Sequence, residues 1–345
     1  MTYILGVETS CDETAASVLA FSKAGEFKIL SNIISSQIAI HQRYQGVVPE
    51  IAAREHVLNI LPVINEALRE AKIKSDDLAA LAVTAGPGLI TSLLSGVETV
   101  RTLAYAWGKP VIAVNHIAGH LSAAFISQPK TKFPAVALTV SGGHTNIVYL
   151  SNYNKYKLIG ETLDDAAGEA FDKGAKMLGV GYPGGPIVSR LAKDYHTGDK
   201  NNLDIKLPRP MLHKQGFDFS FSGLKTALLY QIKKDKNYQK HIPEYCHELQ
   251  QAIIDVLIAK TIKAAKLKKA QTVILSGGVS ANIELRRQLA ERVEKELPGV
   301  EFLVPQLEYT TDNAAMVAMA GYYLYQQKKF VSWPKLKATS SLDLA

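Results

Sequence analysis

Twice in this chain an apolar run, a short polar turn and a second apolar run follow one another, as "YILGVETSCDETAASVLA" at 3–20 and "PAVALTVSGGHTNIVYL" at 134–150. Such runs, rich in Val, Ile, Leu and Ala and broken by small polar residues, read as strands joined by a turn. After the first pair, a third strand is expected at about 28–38. A helix then spans 50–73, where Ile51, Val57, Ile60, Leu61, Ile64 and Leu68 recur at helical spacing and predict the buried face. A strand at 78–84, a helix at 89–107, a strand at 110–114 and a helix carrying "HIAGH" complete the block. The second block continues with a strand at 156–162 and further helices, then helix 245–268, strand 272–278, helix 280–294, strand 301–304 and helix 312–327. Two blocks that each open with a hairpin and go on as alternating α/β predict a duplication of architecture rather than of letters. The expected division is an N-terminal lobe at 1–130, a C-terminal lobe at 131–311, and a final helix and tail at 312–345 packing back on the N-terminal lobe.

A chain of 345 residues with 47% hydrophobic and 21% charged residues can bury two such cores and is not of disordered composition. Its two cysteines, Cys11 and Cys246, make no disulfide framework and suit a reducing cytosol, so a cytoplasmic location is expected. The N-terminus turns acidic at Glu8 with no basic region before it, unlike a signal peptide. The uncharged stretch 78–97 is long enough to span a membrane, but Gly-Pro-Gly at 86–88 breaks it into a buried strand, a turn and a helix. No membrane partner is expected.

Charge is unevenly placed. Residues 1–130 hold 10 Lys/Arg against 11 Asp/Glu, so of 39 and 32 in all the remainder holds 29 against 21. The excess gathers in "KLPRPMLHK" (206–214), "KKDK" (233–236) and "KTIKAAKLKK" (260–269), and points to a polyanion, nucleic acid ahead of membrane.

His116 and His120 lie four apart on an expected helix, so both imidazoles face one side and could share an ion. Ile117, Ala118 and Gly119 stand between them, leaving no helix Glu to serve as the base of an HEXXH protease. Asp312, in "TTDNAAM" (310–316), is either a helix cap or a third ligand, and spacing does not choose. A His/His/Asp set would suit iron or zinc. Two candidate hairpin turns, "TVSGGHT" (139–145) and "LSGGVSAN" (275–282), place Ser-Gly-Gly after an apolar run, where backbone N–H groups can approach a phosphate. "GVGYPG" (179–184) fits a dinucleotide fingerprint by letter only, because it follows a helix and contains Pro183.

Together these motifs resemble the tRNA N6-adenosine threonylcarbamoyltransferase family, also called the universal glycoprotease-like family. The carrying residues are "GVETSCDET" (6–14), "GVVPEIAAREH" (46–56), "TAGPGLITSLL" (84–94), "KPVIAVNHIAGHL" (109–121) and "VSGGHT" (140–145), with "LDDAAGEAFDKGAKMLG" (163–179), "GYPGGP" (181–186), "FDFSFSGLKTA" (217–227), "SGGVSAN" (276–282) and "TDNAAM" (311–316). The resemblance implies the actin-like/sugar-kinase/chaperone ATPase fold, two ribonuclease-H-like lobes with a cleft between them. It implies one divalent metal, Fe(2+) or else Zn(2+), on His116, His120 and Asp312, held across both lobes. It implies that Thr139, Val140, Ser141, Gly142 and Gly143, with Asp172, Gly185 and Asn282, line the pocket for an acyl-adenylate. The implied reaction moves the threonylcarbamoyl group from threonylcarbamoyl-AMP to the exocyclic amine of the adenine 3′ of the anticodon. Asp12 and Glu13 are the catalytic candidates, for positioning or proton transfer. The implied partners are tRNA, a paralogous inactive subunit (TsaB-like), a small ATPase (TsaE-like) and a separate enzyme that makes the adenylate.

The chain departs from the family pattern at Gln45 and Thr91, where Gly is usual, at Ala53, where Ser is usual, and at Gly174, where an apolar residue is commoner. Three rival readings are a metallopeptidase, a small-molecule kinase or chaperone ATPase, and an inactive scaffold subunit of the same fold.

Overall fold

A computed structural model describes residues 1–128, 130–195 and 205–344. The chain forms two compact units, one of Met1–Thr131, Tyr153–Lys155 and Pro305–Ala345, the other of Lys132–Asn152 and Tyr156–Val304.

In the first unit, β1 (Thr2–Glu8), β2 (Glu13–Phe21) and β3 (Phe27–Ser36) form an antiparallel meander. A short α1 (Ile38–His41) and the long α2 (Pro49–Ala71) follow, then β4 (Leu78–Gly86), α3 (Ile90–Trp107), β5 (Val111–Asn115) and α4 (His116–Ser127). β4 pairs parallel to β1 and β5 parallel to β4, giving the order β3-β2-β1-β4-β5. All nine residues of β2 are buried, as in a sheet covered on both faces.

The face of α2 differs from the sequence expectation. Ala52, His56, Ile60, Val63, Ile64 and Ala67 are buried, whereas Val57 is 67% and Leu61 51% exposed. The buried stripe is made partly of Ala and a histidine, which an apolar count passes over. Gln45 has φ 53°, the left-handed region where the family's Gly costs nothing and a side chain is strained.

The second unit repeats the plan. β6 (Ala135–Val140) pairs antiparallel with β7 (Thr145–Asn152), and β8 (Lys155–Glu161) lies beyond it. Then come α5 (Ala167–Leu178), α6 (Gly184–Ala192), α7 (Ser222–Lys234), α8 (Ile242–Leu267), β9 (Thr272–Ser276), α9 (Ile283–Glu296) and β10 (Glu301–Leu303). β9 pairs parallel to both β6 and β10, so the order β8-β7-β6-β9-β10 matches the first sheet strand for strand. The turn at 275–282 is therefore not a hairpin: β9 leads through a 3-10 turn (Gly278–Ala281) into α9. Gly174 lets α5 close on α8, because a Cβ there would stand 2.4 Å from Leu249 Cδ2.

The chain then returns to the first unit with α10 (Ala314–Gln326), buried along most of its length and rich in Ala. Gly6 lets it lie directly on β1: a Cβ at Gly6 would meet the Ala314 carbonyl oxygen at 2.5 Å. No helix among the described residues is long and apolar enough to cross a membrane.

Candidate functional site

In the first unit, chemistry collects at the C-terminal ends of β1, β4 and β5. Asn115, the last residue of β5, accepts the N–H groups of Ile117 and Ala118 on its side-chain oxygen, capping α4 so that its first turn presents His116 and its second His120. Asn313 caps α10 in the same way through Met316 N–H, which frees Asp312, one residue earlier, from the capping role.

His116, His120 and Asp312 each offer one ligand atom, all within 4.8 Å of one another. Asp312 Oδ1 lies 3.2 Å from His120 Nε2 and 3.7 Å from His116 Nε2, and the two rings sit edge to face with centroids 4.6 Å apart. His120 is fully buried, yet neither of its ring nitrogens makes a hydrogen bond among the described residues. A buried imidazole that makes no hydrogen bond is costly, and a cation between its Nε2 and the Asp312 carboxylate would satisfy that nitrogen. Two imidazoles and one carboxylate form a donor set that fits a single divalent metal. All three belong to the first unit, so the expectation that the ion is held across both lobes is corrected. The reason is the return of the chain after residue 304, which brings Asp312 back beside α4.

Sequence reading missed the residues behind His116. Its Nδ1 lies 3.3 Å from Glu8 Oε2 and 3.1 Å from Ser10 Oγ. Glu8 is fully buried at the end of β1 and accepts Ser10 N–H (2.5 Å) and Thr84 Oγ1–H (2.6 Å); burial pushes its pKa up, but His116 and Thr84 together hold it below the ordinary value. An ionised Glu8 keeps the proton on Nδ1 and turns the Nε2 lone pair toward His120 and Asp312. Burial opposes charging His116, but Asp312 and Glu8 prevail and push its pKa up to about 9, so an arriving cation displaces a proton. The signal for Glu8 is a carboxylate ending an otherwise apolar strand.

Asp12 and Glu13 close the same turn. Burial, then Asp12, raises the Glu13 carboxyl to about 8, and burial, then Asp312, raises Asp12. Glu13 Oε1 accepts Ser36 Oγ–H, while its buried Oε2 has no hydrogen-bond partner among the described residues. His56 of α2 braces the turn, with Nδ1 2.8 Å from Thr14 Oγ1 and Nε2 2.9 Å from the Cys11 carbonyl oxygen. Burial, then Asp12, holds the Cys11 thiol well above its ordinary pKa, so it offers no thiolate to the set.

The expected pocket residues all lie in the second unit. Thr139 Oγ1 is 3.0 Å from Ser276 Oγ, joining the ends of β6 and β9. Gly168 and Gly277 allow the close approach: a Cβ on the first would meet the Ser141 carbonyl oxygen at 2.5 Å, and on the second the Val140 carbonyl oxygen at 2.4 Å. Asp172 accepts Gly184 N–H at the start of α6, and Asn282 caps α9 while its Nδ2 donates to Gln250 Oε1 (2.8 Å). Gly142, Gly143, Gly185 and Gly278 have open space where a Cβ would stand. The result is a rim of small residues and backbone N–H groups able to admit a phosphate-bearing ligand.

Residues 28–319 match the family described as "TsaD: tRNA N6-adenosine threonylcarbamoyltransferase". A protein of that name from Desulfitobacterium hafniense (strain Y51) is 47% identical over 99% of this chain and 97% of its own length. Another so named, from Geobacillus thermodenitrificans (strain NG80-2), is 49% identical over 95% and 93%. Among solved structures, component A of Acidaminococcus fermentans (R)-2-hydroxyglutaryl-CoA dehydratase is similar at TM-score 0.55 and 16% identity, covering 95% of this chain and 100% of that one. T. kodakarensis HypF is similar at TM-score 0.60 and 13% identity, over 94% of this chain and 48% of that one. At such identities the structural likeness speaks for fold alone, the actin-like/sugar-kinase/chaperone ATPase fold.

Proposed function

Because the chain belongs to the tRNA N6-adenosine threonylcarbamoyltransferase family, we propose that it moves the threonylcarbamoyl group from threonylcarbamoyl-AMP to the exocyclic amine of the adenine 3′ of the anticodon. The observation that carries this beyond the family match is the His116/His120/Asp312 set, in which fully buried His120 makes no hydrogen bond among the described residues and has Asp312 Oδ1 3.2 Å from its Nε2.

In the reaction, the adenine amine forms a bond to the carbamoyl carbon. The carbamoyl–phosphate C–O bond breaks, AMP leaves with its electron pair, and the amine loses a proton. His116, His120 and Asp312 would hold one divalent ion, Fe(2+) before Zn(2+), which when bound supplies Lewis-acid stabilisation of negative charge on substrate oxygens. Glu8 acts as a positioning residue by orienting His116. Glu13 is the candidate for proton transfer: its carboxyl, raised to about 8, holds a proton near neutral pH, and the ionised fraction able to take the amine's proton grows as pH rises toward 8. Asp12 beside it would position the amine. Gly142 and Gly143 would offer backbone N–H groups to the adenylate phosphate, with Thr139, Val140 and Ser141 lining the pocket beside them and Asp172, Gly185 and Asn282 at the helix starts around it.

For the partners, the exposed apolar side chains of Val57, Leu58 and Leu61 on α2 and Ile90 and Leu94 on α3 support docking of a paralogous TsaB-like subunit. The TsaE-like ATPase follows from the family resemblance, and a cytoplasmic location from the two free cysteines, Cys11 and Cys246.

The test combines the purified chain, its partners, threonylcarbamoyl-AMP and unmodified tRNA, then digests the tRNA and weighs its nucleosides. Threonylcarbamoyladenosine should appear with the unmutated chain and not with His120→Ala. No product from either, where a proven relative works, sinks the reading.

A further inference from the structure

Of the three basic runs in the sequence, two are partly spent on holding the fold. In 206–214, Arg209 is clamped between Glu248 and Asp255 on α8. In 260–269, Lys260 is buried with Nζ on the carbonyl oxygens of Lys214 and Gly216, Lys263 reaches the same Gly216 oxygen, and Lys266 pairs with Glu296 at 2.5 Å. The third run is different. Lys233, Lys234 and Lys236, joined by Lys240, are exposed at the end of α7 and in the turn before α8. Among the described residues none of these four ammonium groups makes an ion pair or a side-chain hydrogen bond.

Asp235, the acid within this run, offsets one of the four charges but pairs with none of the lysines. Its Oδ2 faces His241 Nδ1 (3.1 Å) and Tyr245 Oη (3.4 Å), and its Oδ1 accepts Asn237 N–H. Glu244, the next acid, is buried and accepts Ile205 N–H. Tyr230, one turn earlier on α7, is 60% exposed. Four unpaired cations with an accessible aromatic ring suit phosphates and an unstacked base.

The position of this tip matters as much as its charge. Gln250 of α8 is level with the pocket, because it accepts Asn282 Nδ2–H. From Gln250 back to Ile242, the first residue of α8, is about 12 Å along a helical rise of about 1.5 Å per residue, and Lys240 stands two residues further. α8 runs the other way from Gln250 down to the start of β9, so the lysines stand beyond the pocket end of the second unit's sheet. We infer that Lys233, Lys234, Lys236 and Lys240 form a surface that grips the phosphate backbone of the tRNA substrate. This inference rests on the transferase reading above.

The contrasting patch is in the first unit. Lys328, Lys329, Lys335 and Lys337 are also exposed, but Val331 pairs with Val111, the first residue of β5, while His116 follows its last. Lys328 and Lys329 thus lie toward the end of the first sheet away from the histidines, while Lys337 stands two residues before Thr339, whose N–H donates to the Ala85 carbonyl oxygen at the other end; the patch serves as a control of equal lysine number.

The experiment measures binding of unmodified tRNA to the full chain from low to high salt, for the unmutated protein, the quadruple Lys→Gln variant at 233, 234, 236 and 240, and the quadruple Lys→Gln variant at 328, 329, 335 and 337. The first variant should bind at least about tenfold more weakly near 0.1 M salt, and its log–log salt slope should shrink by about 3, as expected for four lost phosphate contacts. The control should change neither quantity. An unchanged first variant, an equal loss in the control, or no tRNA binding by the unmutated chain overturns the inference. Product formation is read separately: threonylcarbamoyladenosine made equally well at limiting tRNA by the first variant keeps the transferase reading and discards the surface. Loss of binding by the first variant, with no product from the unmutated chain in the presence of its partners, keeps the surface and discards the reaction.

Discussion

The two units share one strand plan and differ in what fills the first turn. In the first, residues 9–12 between β1 and β2 are braced by Glu8, His56 and Thr84 and face buried histidines. In the second, the turn Ser141–His144 between β6 and β7 is closed by Ser141 N–H on the His144 carbonyl oxygen, and its two glycines are exposed. One turn is built of side chains around a cation site, the other of backbone around empty space. A duplicated frame thus supplies two equivalent positions, and residue choice decides whether each offers ligands or N–H groups.

The sharpest way to break this contrast is to remove a ligand. His120→Ala should abolish stoichiometric metal, read by elemental analysis of the purified protein, and lower transfer by about 100-fold or more. Gly143→Ala should leave the metal untouched. Next in size, Glu8→Gln should weaken metal affinity by about 10–100-fold, read by chelator competition, because it removes only the group that orients His116. On the other side, Gly142→Val should raise the KM for the adenylate by about tenfold while metal content and melting temperature stay put, since nothing in the fold occupies that space. An unchanged KM would mean that the glycine turn does not hold the ligand.

The smallest effect concerns Glu13. Its folded pKa, about 8, is above the ordinary carboxylate value, so the folded state holds the proton more tightly than the unfolded state. Its contribution to stability is therefore fully present below about pH 4.5 and is lost as pH rises toward 8. In urea melts of metal-free protein, Glu13→Gln should flatten the fall in stability between those limits and gain on the unmutated chain at pH 8.5. Parallel pH curves would show that Glu13 is not held protonated.

Much of the frame was legible because its signals are local. Alternating apolar and small residues marked the two hairpins, and Gly-Pro-Gly at 86–88 ended β4 where a span could have been read. Three features were not legible. The outward face of α2 carries Val57 and Leu61, and only tertiary packing decides which side of an ambiguous helix is covered. The Glu8–His116 contact joins residues 108 apart, with no spacing rule between them. Which of three basic runs keeps its charge depends on the acids that fold against it, as Glu248, Asp255 and Glu296 do. For the site, the sequence raised Asp312 as cap or ligand. The structure gives the capping role to Asn313 and leaves the Asp312 carboxylate beside two imidazoles.

The split composition of the first unit has a consequence in time. A ribosome at about 5–20 residues per second needs on the order of 10–40 s to go from His120 to Asp312. For that interval the nascent chain displays two histidines without the carboxylate, and without α10 to cover β1. A tight three-ligand site therefore cannot form until the second unit has been synthesised, and an unfinished chain carries a weak metal site at most.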